Sequence, residues 1–266
     1  MTIRRSRALP DSEAAVTCSY LRNGFCRTCD CGACEGGYLI DEWREAQRRG
    51  DLGTGPRECA CVQRARNRKH LRDSGLEALA ERCTFETYRT GEAWQQTAKE
   101  LALRYLKDCK TEGLFLSGQS GSGKTHLCTA VCGEIMKRGG RLRYFQYVRD
   151  GTRLKQLIGE GEAYGREIRT LLTAEHLYID DLFKQEISAA DIRLVYEIIN
   201  GRMIAGRPTI LSSERSLEFI RRARGGEGEA IAGRIYEGCG HGRYCLELSG
   251  KEKNRRFRPA EADRGT

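Results

Sequence analysis

No stretch of the sequence approaches the ~18 apolar residues of a membrane span. The opening MTIRRSRALPDSEAAVTCSY also lacks the apolar centre of a secretory leader. The expected setting is therefore the cytoplasm, without a membrane partner, where thiols stay reduced and disulfides are rare. No internal repeat is visible, and the four histidines form no catalytic cluster.

What is present is sulfur and positive charge. Thirteen cysteines is an odd number, which argues against a fully paired disulfide framework. A formal net charge of +9 favours an anionic partner, nucleic acid first, with a solvated Arg-rich surface as the alternative. A chain of 266 residues, 39% hydrophobic, can bury one sizeable core, or a medium one with a small appendage.

The composition divides along the chain. Residues 1–17 are polar and read as disordered. Residues 18–82 hold seven cysteines, few core-forming residues and the basic stretch Arg64–Arg72; such a segment needs a metal or disulfide staple. From residue 83 to 258, helix and strand signals alternate, leaving 259–266 as a tail. Helices are predicted over 92–110, 124–138, about 151–174 and 189–205, and strands over 113–117, 142–148, 176–182 and 209–213. Alternation of this kind predicts an α/β domain with a parallel sheet flanked by helices.

Gly118-Gln119-Ser120-Gly121-Ser122-Gly123-Lys124-Thr125 satisfies G-x-x-x-x-G-K-[ST], with an apolar strand before it and a helix after it. Glycines let the backbone wrap phosphate with N–H groups pointing inward, and the helix N-terminus adds its positive dipole end. The pattern predicts ATP held by residues 118–125, with Lys124 reaching the β- and γ-phosphates and Thr125 ligating Mg²⁺. His126 is counted with them in the nucleotide-binding stretch, and is expected to pack beside the site rather than perform chemistry. The strand Leu177-Tyr-Ile-Asp-Asp-Leu182 ends in two carboxylates. Asp180 would hold the Mg²⁺ through water, and Asp181 would orient the attacking water. Asp181 is shorter than the glutamate common at this place, so turnover is expected to be slow.

These residues resemble the DnaC/DnaI/IstB group of AAA+ ATPases. The resemblance covers about residues 84–258 and rests on GQSGSGKT, LYIDDLFK, PTILSSERS and AIAGRIYE. It implies a P-loop AAA+ fold and a homo-oligomer with ATP at the subunit interfaces. It also implies loading of a replicative ring helicase onto single-stranded DNA, with an IstB-like helper of a transposase on duplex DNA as the alternative. Arg234 matches the arginine finger that reaches the neighbouring subunit's nucleotide. Glu214 stands where many relatives carry the asparagine that senses the γ-phosphate, so Ser213 is taken as the substitute. Arg255 or Arg256 could match a second sensing arginine.

The cysteine-rich segment contains Cys31-x-x-Cys34 and Cys59-x-Cys61, two close pairs separated by a loop, as in tetrahedral zinc sites. The resemblance agrees, because loaders of this type often carry an N-terminal zinc module. Cys18, Cys26 and Cys29 are further candidate ligands, and a second metal or a redox pair stays open. Tyr144-Phe145-Gln146-Tyr147 reads as buried sheet, with base stacking as the alternative. Lys155, Arg166 and Arg169 are candidate phosphate contacts, or else a solvated helix face.

Overall fold

The structure, a computed structural model, describes residues 38–50, 57–59, 61–62, 65, 69, 72, 76–108, 111–138, 140–250 and 253–254. The chain divides into two units between residues 67 and 68. In the first, Tyr38 forms an antiparallel bridge with Glu58, and Leu39 N–H donates to the Arg57 carbonyl at 2.8 Å. Helix α1 (Ile40–Arg48) lies between these bridged ends in sequence. Cys59 and Val62 are buried and Cys61 is half-buried. Of the expected zinc ligands, Cys31 and Cys34 lie outside the described residues, as do Cys18, Cys26, Cys29, Arg255 and Arg256. Among the described residues, no group of three or more His, Cys, Asp or Glu could hold a metal ion.

The second unit is built on five parallel strands. They are β1 (Leu114–Gly118), β2 (Leu142–Gln146), β3 (His176–Leu182), β4 (Thr209–Ser213) and β5 (Cys245–Leu248), in the order β2-β3-β4-β1-β5. β1 and β4 are buried at every residue, as expected of parallel strands covered on both faces. The sequence reading did not include β5, which pairs beside β1 at the sheet edge with Phe115 opposite Cys245. The flanking helices are α2 (Glu77–Arg82), α3 (Ala93–Asp108), α4 (Lys124–Lys137), α5 (Thr152–Gln156), α6 (Gly161–Thr173), α7 (Ala189–Ile204), α8 (Leu217–Arg222) and α9 (Glu229–Gly238).

The long helix expected over 151–174 is interrupted in two places. A π-turn (Tyr147–Gly151) precedes α5, and a 3₁₀ turn (Leu157–Gly159) separates α5 from α6. Asp150 accepts from the Gln146 N–H at 2.9 Å, which closes the π-turn against the end of β2. Gly159 and Gly161 flank the second break, where glycine disfavours a continuous helix. α7 begins with a reciprocal cap, Ser188 on the Asp191 N–H and Asp191 on the Ser188 N–H. Asp191 also accepts from Tyr147 Oη at 2.6 Å and Lys155 Nζ at 2.7 Å. Lys155 is therefore spent inside the fold, whereas Arg166 and Arg169 are exposed.

Arg202 is the largest fully buried side chain. Its guanidinium donates to the carbonyls of Leu171, Ala174 and Pro208 and to Thr209 Oγ1, at 2.6–2.9 Å. It thereby ties α7 to the end of α6 and the start of β4.

His176 opens β3 with its Nδ1 buried and without a hydrogen-bond partner. Burial holds its pKa below the ordinary 6.5. The folded state thus favours the neutral ring, and its contribution is present above about 6.5. As pH falls below that value the unfolded chain takes up the proton first, and stability is lost down to the lowered folded value. We expect urea midpoints to fall between pH 7.5 and pH 5, and His176→Gln to flatten that slope. An unchanged slope in the variant would assign the effect elsewhere.

Candidate functional site

Parallel strands place their carboxyl ends at one edge of the sheet, where open α/β sheets bind ligands. The loop after β1 wraps at this edge and runs into α4. Gly118 has φ +131°, and a Cβ there would lie 2.2 Å from the Leu248 carbonyl oxygen on β5. Only glycine fits. Gly123, with φ +85°, precedes the first turn of α4 and lies under the ring of Tyr88.

Lys124 is buried, and Nζ donates to the Gln119 carbonyl at 2.7 Å, with Ser122 Oγ at 3.5 Å. Burial pulls its pKa below the usual lysine value, while Glu214 and Asp181 act in the opposite direction. The ammonium is thus poorly solvated and short of anionic partners, which suits a group waiting for phosphate. His126 Nε2 lies 2.9 Å from the Thr84 carbonyl and 3.3 Å from Thr87 Oγ1, and its ring meets Tyr88 edge-on. It pins the turn at 84–88 against α4. A cleft of about 210 Å³ opens here, between Tyr88, Gln95, Gly123 and His126.

Asp180 is almost fully buried and collects hydroxyl donors. Oδ1 accepts from Thr125 Oγ1 at 3.2 Å, from Tyr178 Oη at 2.7 Å and from Ser212 Oγ; Oδ2 accepts from Tyr144 Oη at 3.1 Å. Burial, and then the Asp180 charge, raise both tyrosine pKa values well above normal, although for Tyr178 the Cys128 thiol comes between the two. Both phenols stay protonated as donors.

Around Asp180 and Asp181 the β3–β4 ladder is irregular. Ile179 pairs with Leu211 and Leu182 with Ser213, so both aspartates face the single residue Ser212. Asp181 takes up the extra residue in a left-handed conformation, φ 56°. Its N–H donates to Ser212 Oγ at 3.1 Å, and its carboxylate accepts from Lys184 Nζ at 2.7 Å. Non-glycine residues in this region cost of order 1–3 kcal/mol and gather at functional sites.

The structure thus brings Lys124, Thr125, Asp180 and Asp181 to one place. It does not bring Ser213 there as a sensor, because its hydroxyl donates to the Leu182 carbonyl at 2.6 Å. Ser212 makes the contacts instead; sequence reasoning missed it, along with Tyr144 and Tyr178. Glu214 lies 3.8 Å from Lys184. Arg234 is half-exposed on α9, 3.3 Å from Glu237, apart from this cluster. Tyr144, Phe145 and Tyr147 are buried, which is the sheet-core reading rather than base stacking. Behind Tyr144 lies a second cleft of about 310 Å³, with Arg143, Arg149, Arg153, Leu154 and Glu167 in its wall.

Comparison with known proteins agrees with this geometry. Residues 56–238 match the family described as IstB-like ATP binding protein. The phage-like element PBSX protein XkdC of Bacillus subtilis is 31% identical over 86% of this chain and 86% of its own length. An ATP-binding protein of an insertion sequence in Mycobacterium tuberculosis is 31% identical over 64% of this chain and 69% of its own length. The crystal structure of the DnaC helicase loader superposes with a TM-score of 0.54 at 25% identity. That match covers 64% of this chain and 97% of the loader chain.

Proposed function

The chain belongs to the IstB-like ATP-binding family, in the DnaC/IstB group of AAA+ ATPases, and from that premise we propose that it is an ATP-dependent loader of a replicative ring helicase. The observation that carries the nucleotide part is the joining of Thr125 to Asp180 across α4 and β3, with Lys124 buried beside them. The likeness to the solved helicase-loader chain, 97% of which is covered, favours loading over the alternative, a transposase helper on duplex DNA.

In this reading residues 118–125 cradle the phosphates, and the cleft at Tyr88 and Gln95 receives the base. Lys124 exchanges the Gln119 carbonyl for β- and γ-phosphate oxygens. The hydroxyl of Thr125 and the carboxylate of Asp180 are hard oxygen donors, the class Mg²⁺ requires, so these two would hold it. Bound there, the metal would neutralise charge on the β- and γ-oxygens. Asp181 orients the attacking water, and Ser212 holds both aspartates through its hydroxyl. Arg234 acts on the nucleotide of a neighbouring copy, which makes the working form an oligomer. Arg166, Arg169 and the arginine-walled cleft behind Tyr144 offer cations to single-stranded DNA.

The cysteine-rich segment serves as the docking module and the unit that carries the sheet as the ATPase. The Tyr38–Glu58 bridge supports zinc in the first of these. It joins the residue four places after Cys34 to the residue immediately before Cys59, and with the spacing of the two cysteine pairs it is the ground for the zinc reading.

The test is co-purification with the ring helicase in the presence of ATP, for the native protein and for Cys31→Ser/Cys34→Ser. Capture by the native protein alone is expected. Lack of capture by the native protein, together with a preference for duplex over single-stranded DNA, would move the assignment to the transposase helper.

A further inference from the structure

We propose that Tyr144 and Tyr178 form a two-armed clamp that positions the Asp180 carboxylate for the metal of the nucleotide site. The inference rests on the ATPase reading above and goes beyond it by naming residues that touch neither phosphate nor metal.

The two tyrosines are directly paired across β2 and β3. Tyr178 and Asp180 are two residues apart on one strand, so they share a face of the sheet. The pairing puts Tyr144 on that same face, where its ring meets Tyr178 at 5.3 Å. The phenols then reach one carboxylate from two sides, Tyr178 on Oδ1 at 2.7 Å and Tyr144 on Oδ2 at 3.1 Å.

Two donors on different oxygens fix the rotation of a carboxylate in a way that one donor cannot. Thr125 and Ser212 both bond Oδ1, which leaves Tyr144 the donor that restrains Oδ2. Both phenols are buried, and each donates to the carboxylate. Outer partners of this kind orient the groups that bind metal, and their loss typically costs ~10–100-fold in metal affinity or activity.

Tyr144→Phe keeps the ring and its packing and removes only the donor on Oδ2. The experiment titrates Mg²⁺ against the binding of a fluorescent ATP analogue and, in parallel, measures hydrolysis and the melting temperature. In EDTA the variant should bind the analogue as the native protein does. The Mg²⁺ concentration for half-maximal effect should rise about tenfold and kcat should fall about tenfold. A purely structural role would move the melting temperature and leave the Mg²⁺ midpoint alone. A native Mg²⁺ midpoint and native kcat in the variant would overturn the clamp. If Tyr144→Phe does not fold, Tyr178→Phe should move the Mg²⁺ midpoint the same way by a smaller factor, because Thr125 and Ser212 still hold Oδ1, and an unmoved midpoint there would overturn the clamp. If the native protein binds no analogue with or without Mg²⁺, the nucleotide reading fails, and the clamp fails with it.

Discussion

Lys124→Met should abolish ATP hydrolysis while leaving the protein as stable as before, or slightly more so. The two effects separate because the lysine is badly placed for folding. Its ammonium is buried, and burial pulls its pKa down, so the folded chain holds this charge at a cost. Its one short hydrogen bond goes to the Gln119 carbonyl, which Ser122 Oγ also approaches at 2.9 Å. Removing the ammonium therefore leaves that carbonyl with a donor. Methionine keeps most of the aliphatic stem in the same space. Against this, one preorganised cation aimed at developing phosphate charge has a value comparable to an oxyanion-hole donor, about 10²–10³-fold in rate. Melting curves and a phosphate-release assay on the same preparation decide it. Residual hydrolysis within tenfold of native would sink the assignment of Lys124. A large drop in melting temperature would show that the loop depends on the ammonium for its shape.

Arg202→Met should have the opposite signature, with large loss of stability and no direct effect on nucleotide chemistry. The guanidinium satisfies three backbone carbonyls and one hydroxyl in the interior. Burial pushes its pKa down to about 9, so it stays charged at neutral pH at some cost. Methionine would remove that cost but take the side-chain donors from the carbonyls of Leu171 and Ala174, and leave Pro208 only the longer Leu177 N–H at 3.4 Å. Each unsatisfied buried acceptor costs roughly 1–3 kcal/mol. After the offset we expect a net loss of about 3–5 kcal/mol, within the range for removing one partner of a buried ionic group. In a domain of this size that lowers Tm by about 10 °C. Arg202→Lys should recover little, because a single ammonium cannot reach acceptors spread around a planar fork. A variant melting within 2–3 °C of native would mean the carbonyls find other donors.

The sequence announces the site where chemistry is local. A phosphate loop is a contiguous backbone shape, so glycine spacing and the flanking strand and helix locate it. Asp180 and Asp181 were legible for the same reason, as carboxylates ending an apolar strand. Ser212 was not. Its role depends on the extra residue that β3 carries opposite β4, and that irregularity follows from tertiary pairing and the left-handed turn at Asp181. Without it, Ser213 is the natural choice. Tyr178 could have been found from the two-residue period of a strand, but Tyr144 needs the register between two strands thirty residues apart. β5 is short and interrupted by Glu247, and only its place beside β1 makes it a strand. The zinc assignment stands on spacing alone for Cys31 and Cys34, which lie outside the described residues.

Gly118 packs on the backbone of Leu248, and the Gln119 N–H donates to the Leu248 carbonyl at 3.3 Å. The first two residues of the loop are thus shaped by the last strand of the sheet. During synthesis the loop leaves the ribosome long before that strand does. A nascent chain would carry the complete nucleotide signature yet lack the wall that gives it its form. The growing polypeptide therefore gains the final shape of this loop only once β5 has been made.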